Sequence, residues 1–288
     1  MSISKNKTIL APTDFSDTAI NALHYAASLA LHFGGRLRLL HAIGIHASSA
    51  SQEASFAMAD EVARIEEDEL AKLRLMFIRK YPSLEIDASS ELGFPVEVIA
   101  SFAAETKPDL IVMGTRGASG IREILIGSNT ASLIRKTICP LIAVPDGVDY
   151  SGIRKIAFAT DMHRDDVQHI REIIDLFGKE QPKITLLHTE SGHTRDSEAV
   201  FESWFHNEVL SKVDYTNIET ECIDEADPAR SLNDYISMNE TDLLVTATRK
   251  RNFIERIFDS SVTEKLIFHS RTPVMVLHAG ISKGEMVF

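Results

Sequence analysis

Asp109-Leu-Ile-Val-Met113 runs directly into Gly114-Thr-Arg-Gly117-Ala-Ser119-Gly-Ile-Arg-Glu-Ile-Leu-Ile-Gly127-Ser128-Asn129-Thr130. The first five residues are a short apolar run, and they read as a buried parallel strand. The glycines that follow allow positive φ and close approach of a ligand to the backbone. Gly127-Ser128-Asn129 reads as a helix N-terminus, where unpaired amides and the helix dipole favour an anion. A glycine loop at the carboxyl end of a strand is where open α/β sheets bind ligands. The stretch therefore has the chemistry of a phosphate cradle in an α/β fold.

The chain repeats this unit. Ile9-Leu-Ala-Pro12-Thr13-Asp14 matches Ile156-Ala-Phe-Ala-Thr160-Asp161 at an offset of 147, and Leu39-Leu40-His41 matches Leu186-Leu187-His188. Further on the offset becomes 133. There Asp109-Leu-Ile-Val matches Asp242-Leu-Leu-Val, and Pro140-Leu-Ile-Ala-Val144 matches Pro273-Val-Met-Val-Leu277. Two ungapped blocks mark a duplicated domain and not a solenoid. The expected domains are 1–147 and 152–280, joined near Pro145-Asp-Gly-Val-Asp-Tyr-Ser-Gly152.

Within copy one, strands are predicted at 7–13, 36–42, 84–91, 109–113 and 140–144. Helices are predicted at 17–33, starting near Asp17 as cap, and at 60–80, 95–106 and 128–137. Residues 44–59 read as a loop. The 60–80 helix has an apolar stripe through Val62, Ile65, Leu70, Leu73 and Phe77. Its run Glu66-Glu67-Asp68-Glu69 reads as a solvated face over Ile65 and Leu70. Alternating strands and helices imply a parallel sheet covered on both faces.

The chain has 288 residues, a net charge of −12 and two cysteines. The acidic balance argues against non-specific nucleic-acid binding, which needs basic surface. No run approaches the length of a membrane span. The first residues lack the apolar core of a secretory leader. With Cys139 and Cys222 far apart, a reducing, cytoplasmic setting is expected. His24, His32, His46, His193 and His206 do not make a metal-binding spacing. His41 and His188 recur at matching strand ends, and read as buried structural histidines more readily than as a base or ligand.

This pattern resembles the universal stress protein family in its tandem two-domain form. The family's nucleotide motif, Gly-x2-Gly-x9-Gly-(Ser/Thr), is matched by Gly114, Gly117, Gly127 and Ser128. Pro12-Thr13-Asp14-Phe15-Ser16 matches its first strand end, and Leu40-His41-Ala42 its second. The resemblance implies two Rossmann-like domains, each a five-stranded parallel sheet of order 3-2-1-4-5. It implies an adenine nucleotide, ATP with or without Mg2+, as ligand. The residues it would place around that ligand are Pro12, Thr13, Asp14, Ala42, Met113, Gly114, Gly117, Ser119, Gly127, Ser128 and Asn129. Asp14 also reads as a helix cap, and the two roles are compatible. The resemblance also implies pairing of the copies through their fifth strands, with a homodimer of chains as a further step.

Copy two departs from the motif. Gly114, Gly117 and Gly127 become Ala247, Lys250 and Ser260, and Asn129 becomes Val262. One nucleotide site per chain is expected, in copy one. The reading is a stress-response sensor or binding module. A slow ATPase or phosphotransferase of the same fold, and a scaffold without nucleotide, are the alternatives. No Walker lysine, assigned general base or metal carboxylate pair speaks for catalysis.

Overall fold

The computed structural model describes residues 7–44, 52–115, 128–190, 195–224, 228–248 and 272–278. These fall into two compact units that divide between Tyr150 and Ser151. Gly117, Ser119, Gly127, Arg116 and Arg122 lie outside the described residues, as do Lys250, Ser260 and Val262.

The first unit runs β1 (Thr8–Thr13), α1 (Asp17–Phe33), β2 (Arg36–Ile43), α2 (Gln52–Lys80), β3 (Glu85–Leu92), α3 (Pro95–Thr106), β4 (Leu110–Gly114), α4 (Ser128–Lys136) and β5 (Leu141–Val144). Its strands are parallel in the order β3-β2-β1-β4-β5. Ile9, Leu10 and Ala11 are consecutive and all fully buried, so β1 is covered on both faces. α1 and α2 meet through His24 stacked on Phe77, with ring centroids 4.6 Å apart. α3 and α4 meet through the Lys136–Glu97 ion pair.

The second unit repeats the plan with β6 (Lys155–Ala159), α5 (Asp166–Phe177), β7 (Lys183–Glu190), α6 (Arg195–Trp204), β8 (Ile218–Asp224), α7 (Pro228–Met238), β9 (Leu243–Thr248) and β10 (Val274–His278). A π-helical segment, Phe205–Leu210, continues α6. The strands are again parallel, in the order β8-β7-β6-β9-β10. Each unit is thus a five-stranded Rossmann-like sheet of order 3-2-1-4-5.

The sheets begin alike. Asp109 accepts from the Thr8 amide through Oδ2 at 2.9 Å, and its own amide donates to the Thr8 carbonyl at 2.9 Å. In the second unit Asp242 Oδ2 accepts from Arg154 N at 2.8 Å and Lys155 N at 2.9 Å, and Asp242 N donates to the Lys155 carbonyl at 2.9 Å. The repeated aspartate before the fourth strand thus fastens the first strand at its start, where a ladder partner is missing.

Three local expectations are corrected. The helix expected at 60–80 begins at Gln52, because Gln52-Glu-Ala-Ser-Phe-Ala-Met is helix-competent sequence. Leu70, Leu73 and Phe77 are buried, but Ile65 is 53% exposed and Val62 is exposed with it, so the stripe turns outward in the helix's earlier part. Its inward position there is taken by Glu66. The cap of α1 is Ser16 and not Asp17: Ser16 Oγ accepts from Ala19 N at 3.2 Å.

Candidate functional site

In the first unit, β1 has β2 on one side and β4 on the other, which makes the gap beyond β1 and β4 the topological switch of the sheet. Thr13, Asp14, Ala42, Met113 and Gly114 stand at the carboxyl ends of these strands. Thr13 is the last residue of β1 and pairs with His41 on β2. One residue beyond that pair on each chain segment stand Asp14 and Ala42.

The strand-to-helix turn is built by hydrogen bonds. Thr13 Oγ1 accepts from Phe15 N at 3.0 Å. Phe15 has φ +62°, a left-handed conformation that swings the chain away from the sheet. Asp14 Oδ1 accepts from Ser16 N at 3.1 Å and from Ser16 Oγ at 2.6 Å. Asp14 therefore orients the residue that caps α1 and does not cap it directly. Its side chain is exposed, whereas Pro12 and Thr13 are buried. Ala42 is half-buried, and Met113 is buried.

His41 Nδ1 lies 2.8 Å from the Thr13 carbonyl oxygen, and Nε2 lies 3.2 Å from Glu66 Oε2. Both ring nitrogens thus lie within hydrogen-bond distance of an oxygen, one on β1 and one on α2. Glu66 is half-buried, unlike Glu67, Asp68 and Glu69 beside it. In the second unit His188 Nδ1 repeats the bond, 3.0 Å from the Thr160 carbonyl. The two histidines brace strand ends, and their recurrence has a structural cause.

Gly114 ends β4. A Cβ built there would stand 2.9 Å from Thr18 Cγ2 and 3.0 Å from the Thr18 carbonyl oxygen. The missing side chain thus admits the first turn of α1. Sequence reasoning had given this glycine to a ligand alone. The first turn of α4 is tied to the same point, since Thr130 Oγ1 donates to the Gly114 carbonyl at 3.0 Å. Ser128 opens α4, and Asn129 beside it is exposed.

The second unit fills the corresponding edge with its own polar groups. Asp166 is fully buried. Its Oδ2 accepts from Thr160 Oγ1 at 2.5 Å and from His163 N at 3.0 Å, and Oδ1 lies 3.5 Å from His169 Nδ1. Burial pushes the His169 ring below its ordinary pKa, against the nearby carboxylate of Glu172. Burial, with His169 close by, pushes His278 down to about 4. Sequence reading missed this cluster, although the repeat held the signal. At the repeat offsets, Asp166, His169 and His278 correspond to Ala19, Ala22 and Pro145.

Among the described residues, no group of three or more His, Cys, Asp or Glu side chains could hold a metal ion. No helix among them is long and apolar enough to cross a membrane.

Comparison with known proteins agrees with the duplicated fold. The model of the universal stress protein family matches residues 5–145 and again 152–278. A universal stress protein of Methanocaldococcus jannaschii is 30% identical over 139 residues, which cover 48% of this chain and 81% of that protein. One from Thermus aquaticus is 33% identical over 138 residues, or 48% of this chain and 98% of that protein. The crystal structure of a universal stress protein from Archaeoglobus fulgidus aligns with a TM-score of 0.68 at 19% identity, covering 98% of this chain and 99% of that one. The chain belongs to the universal stress protein family, in its tandem two-domain form.

Proposed function

We propose that the first unit binds an adenine nucleotide, ATP in the first instance, and that the chain acts as a stress-response sensor or binding module. The observation that carries this reading is the exposed Asp14 at the topological switch, at the strand-end edge it shares with the small Ala42. These residues fit the group. A carboxylate at a strand end can accept from ribose hydroxyls, and a short side chain at residue 42 leaves room for a base. The first amides of α4 point toward any phosphate beyond Ser128. Gly114 lends no separate support, because its missing side chain is accounted for by Thr18.

The second unit is proposed to bind nucleotide weakly or not at all. Its strand-end edge is occupied by the buried Asp166 side chain and its bonds to Thr160 and His163, where the first unit has Ala19.

Isothermal titration of the full chain with ATP, AMP and cyclic AMP, with and without Mg2+, tests the proposal. One site per chain, weakened in Asp14→Ala, is the expected result. Two equivalent sites, or none, would overturn it. Sustained phosphate release from ATP would reassign the protein as an enzyme of the same fold. Pairing of the copies through their fifth strands, and of chains as a homodimer, belongs to the same proposal. Sedimentation velocity and cross-linking of the full chain check it.

A further inference from the structure

α3 starts in an unusual way. Pro95 is its first residue, and Phe94 holds the N-cap position with extended backbone, φ −74° and ψ 132°, and no capping side-chain bond. Short polar residues normally stand there, because an oxygen must accept from the first helical amides. Phe94 is also 65% exposed, and Leu92, two residues earlier, is 64% exposed. In the sequence of copy two, Glu225 and Asp227 stand where copy one has Leu92 and Phe94, directly before Pro228. The copy with the glycine motif thus gives up a cap in order to expose a ring.

The ring stands at the same edge as Asp14. Ala42 pairs with Glu91, and Ile43 with Leu92. Gly93 N then donates to the Ile43 carbonyl at 3.0 Å. At φ +155°, and with Val98 Cγ2 only 2.8 Å from where a Cβ would be, residue 93 must be glycine for the chain to turn here. Asp14, Ala42 and Glu91 therefore form a row across three strand ends. Two strand spacings separate Asp14 from the β3 end, about 10 Å, a distance comparable with the span of a nucleoside.

We propose that Phe94, with Leu92 beside it, is the base-side wall of the first unit's nucleotide site, and that its ring stacks on adenine. This rests on the nucleotide reading above. Ribose would sit over Asp14, the base would extend past Ala42 toward Phe94, and the phosphates would run the other way toward α4. Stacking on an aromatic face favours any base over bare phosphate.

The test uses the full chain, with ATP and inorganic tripolyphosphate as probes, in the wild type, Phe94→Asp and Phe94→Trp. Phe94→Asp should bind ATP about five- to a hundredfold more weakly, the range of a lost base–aromatic stack. It should bind tripolyphosphate unchanged and melt no lower than wild type, because aspartate caps α3. Phe94→Trp should keep ATP affinity within about twofold. Equal ATP affinity in wild type and Phe94→Asp overturns the proposal and leaves the ring to a protein partner. So does a parallel loss of ATP, tripolyphosphate and melting temperature, which marks a structural role. A wild type that binds no ATP defeats the nucleotide reading itself.

Discussion

Gly114 and Thr18 are packed so closely that a single added Cβ would stand 2.9 Å from the Thr18 methyl carbon. The second neighbour is the Thr18 carbonyl oxygen at 3.0 Å, which is backbone and cannot rotate away. Gly114→Ala should therefore lower the stability of the ligand-free protein by about 1–3 kcal/mol, the usual cost of overpacking. Urea unfolding without nucleotide measures it. Thr18→Ala in the same chain should recover only part, since the carbonyl contact remains. An unchanged midpoint in Gly114→Ala would show that α1 yields easily.

His278 makes stability depend on pH. Its pKa falls from 6.5 in the unfolded chain to about 4 in the folded one. Between those values the unfolded chain holds more protons, so stability falls as the solution is acidified. The contribution is complete above pH 6.5 and lost progressively toward pH 4, to the extent of about 3 kcal/mol. Melting temperature followed over this window should drop less in His278→Leu than in wild type. Equal slopes would show that the ring is not desolvated.

Asp109 and Asp242 should each be worth about 1–2 kcal/mol, since their removal strips a partner from strand-start amides. Hydrogen exchange gives the sharper measurement. Asp109→Ala should speed exchange at Thr8, and Asp242→Ala at Arg154 and Lys155. Protection that survives in both variants would argue against the assignment.

Glu66 and its neighbour Glu67 should differ. Glu66→Ala removes the partner of His41 Nε2 and should cost about 0.5–1.5 kcal/mol, typical of a single hydrogen bond. Glu67→Ala should be neutral within error in the same denaturation assay.

The strands and most helix bounds of the first unit were legible because apolar runs, Gly34-Gly35 and Pro95 punctuate them. Charge and period failed where a long helix leaves the sheet. Glu66 points inward while Ile65 stays in solvent, a choice made by the position of His41 on another element. Asp17 and Ser16 are both cap-competent in the sequence, and only the fold shows that Ser16 Oγ is the atom that accepts from Ala19 N. The closeness of Gly114 to Thr18 is a distance across the fold, and no local pattern encodes it. The Asp166–His169–His278 cluster joins a helix start to the last strand, so it emerged only with the fold.

The aspartates that fasten the first strand lie at the amino-terminal rim of each sheet, and they are alike in both copies. Differences between the copies gather at the opposite rim: Phe94 against Asp227, Gly114 against Ala247, Ala19 against Asp166. A sheet built this way can change side chains at one rim without loosening the strand starts at the other. A change at that rim then carries little risk to folding, and either copy can take on a new surface while its sheet stays intact.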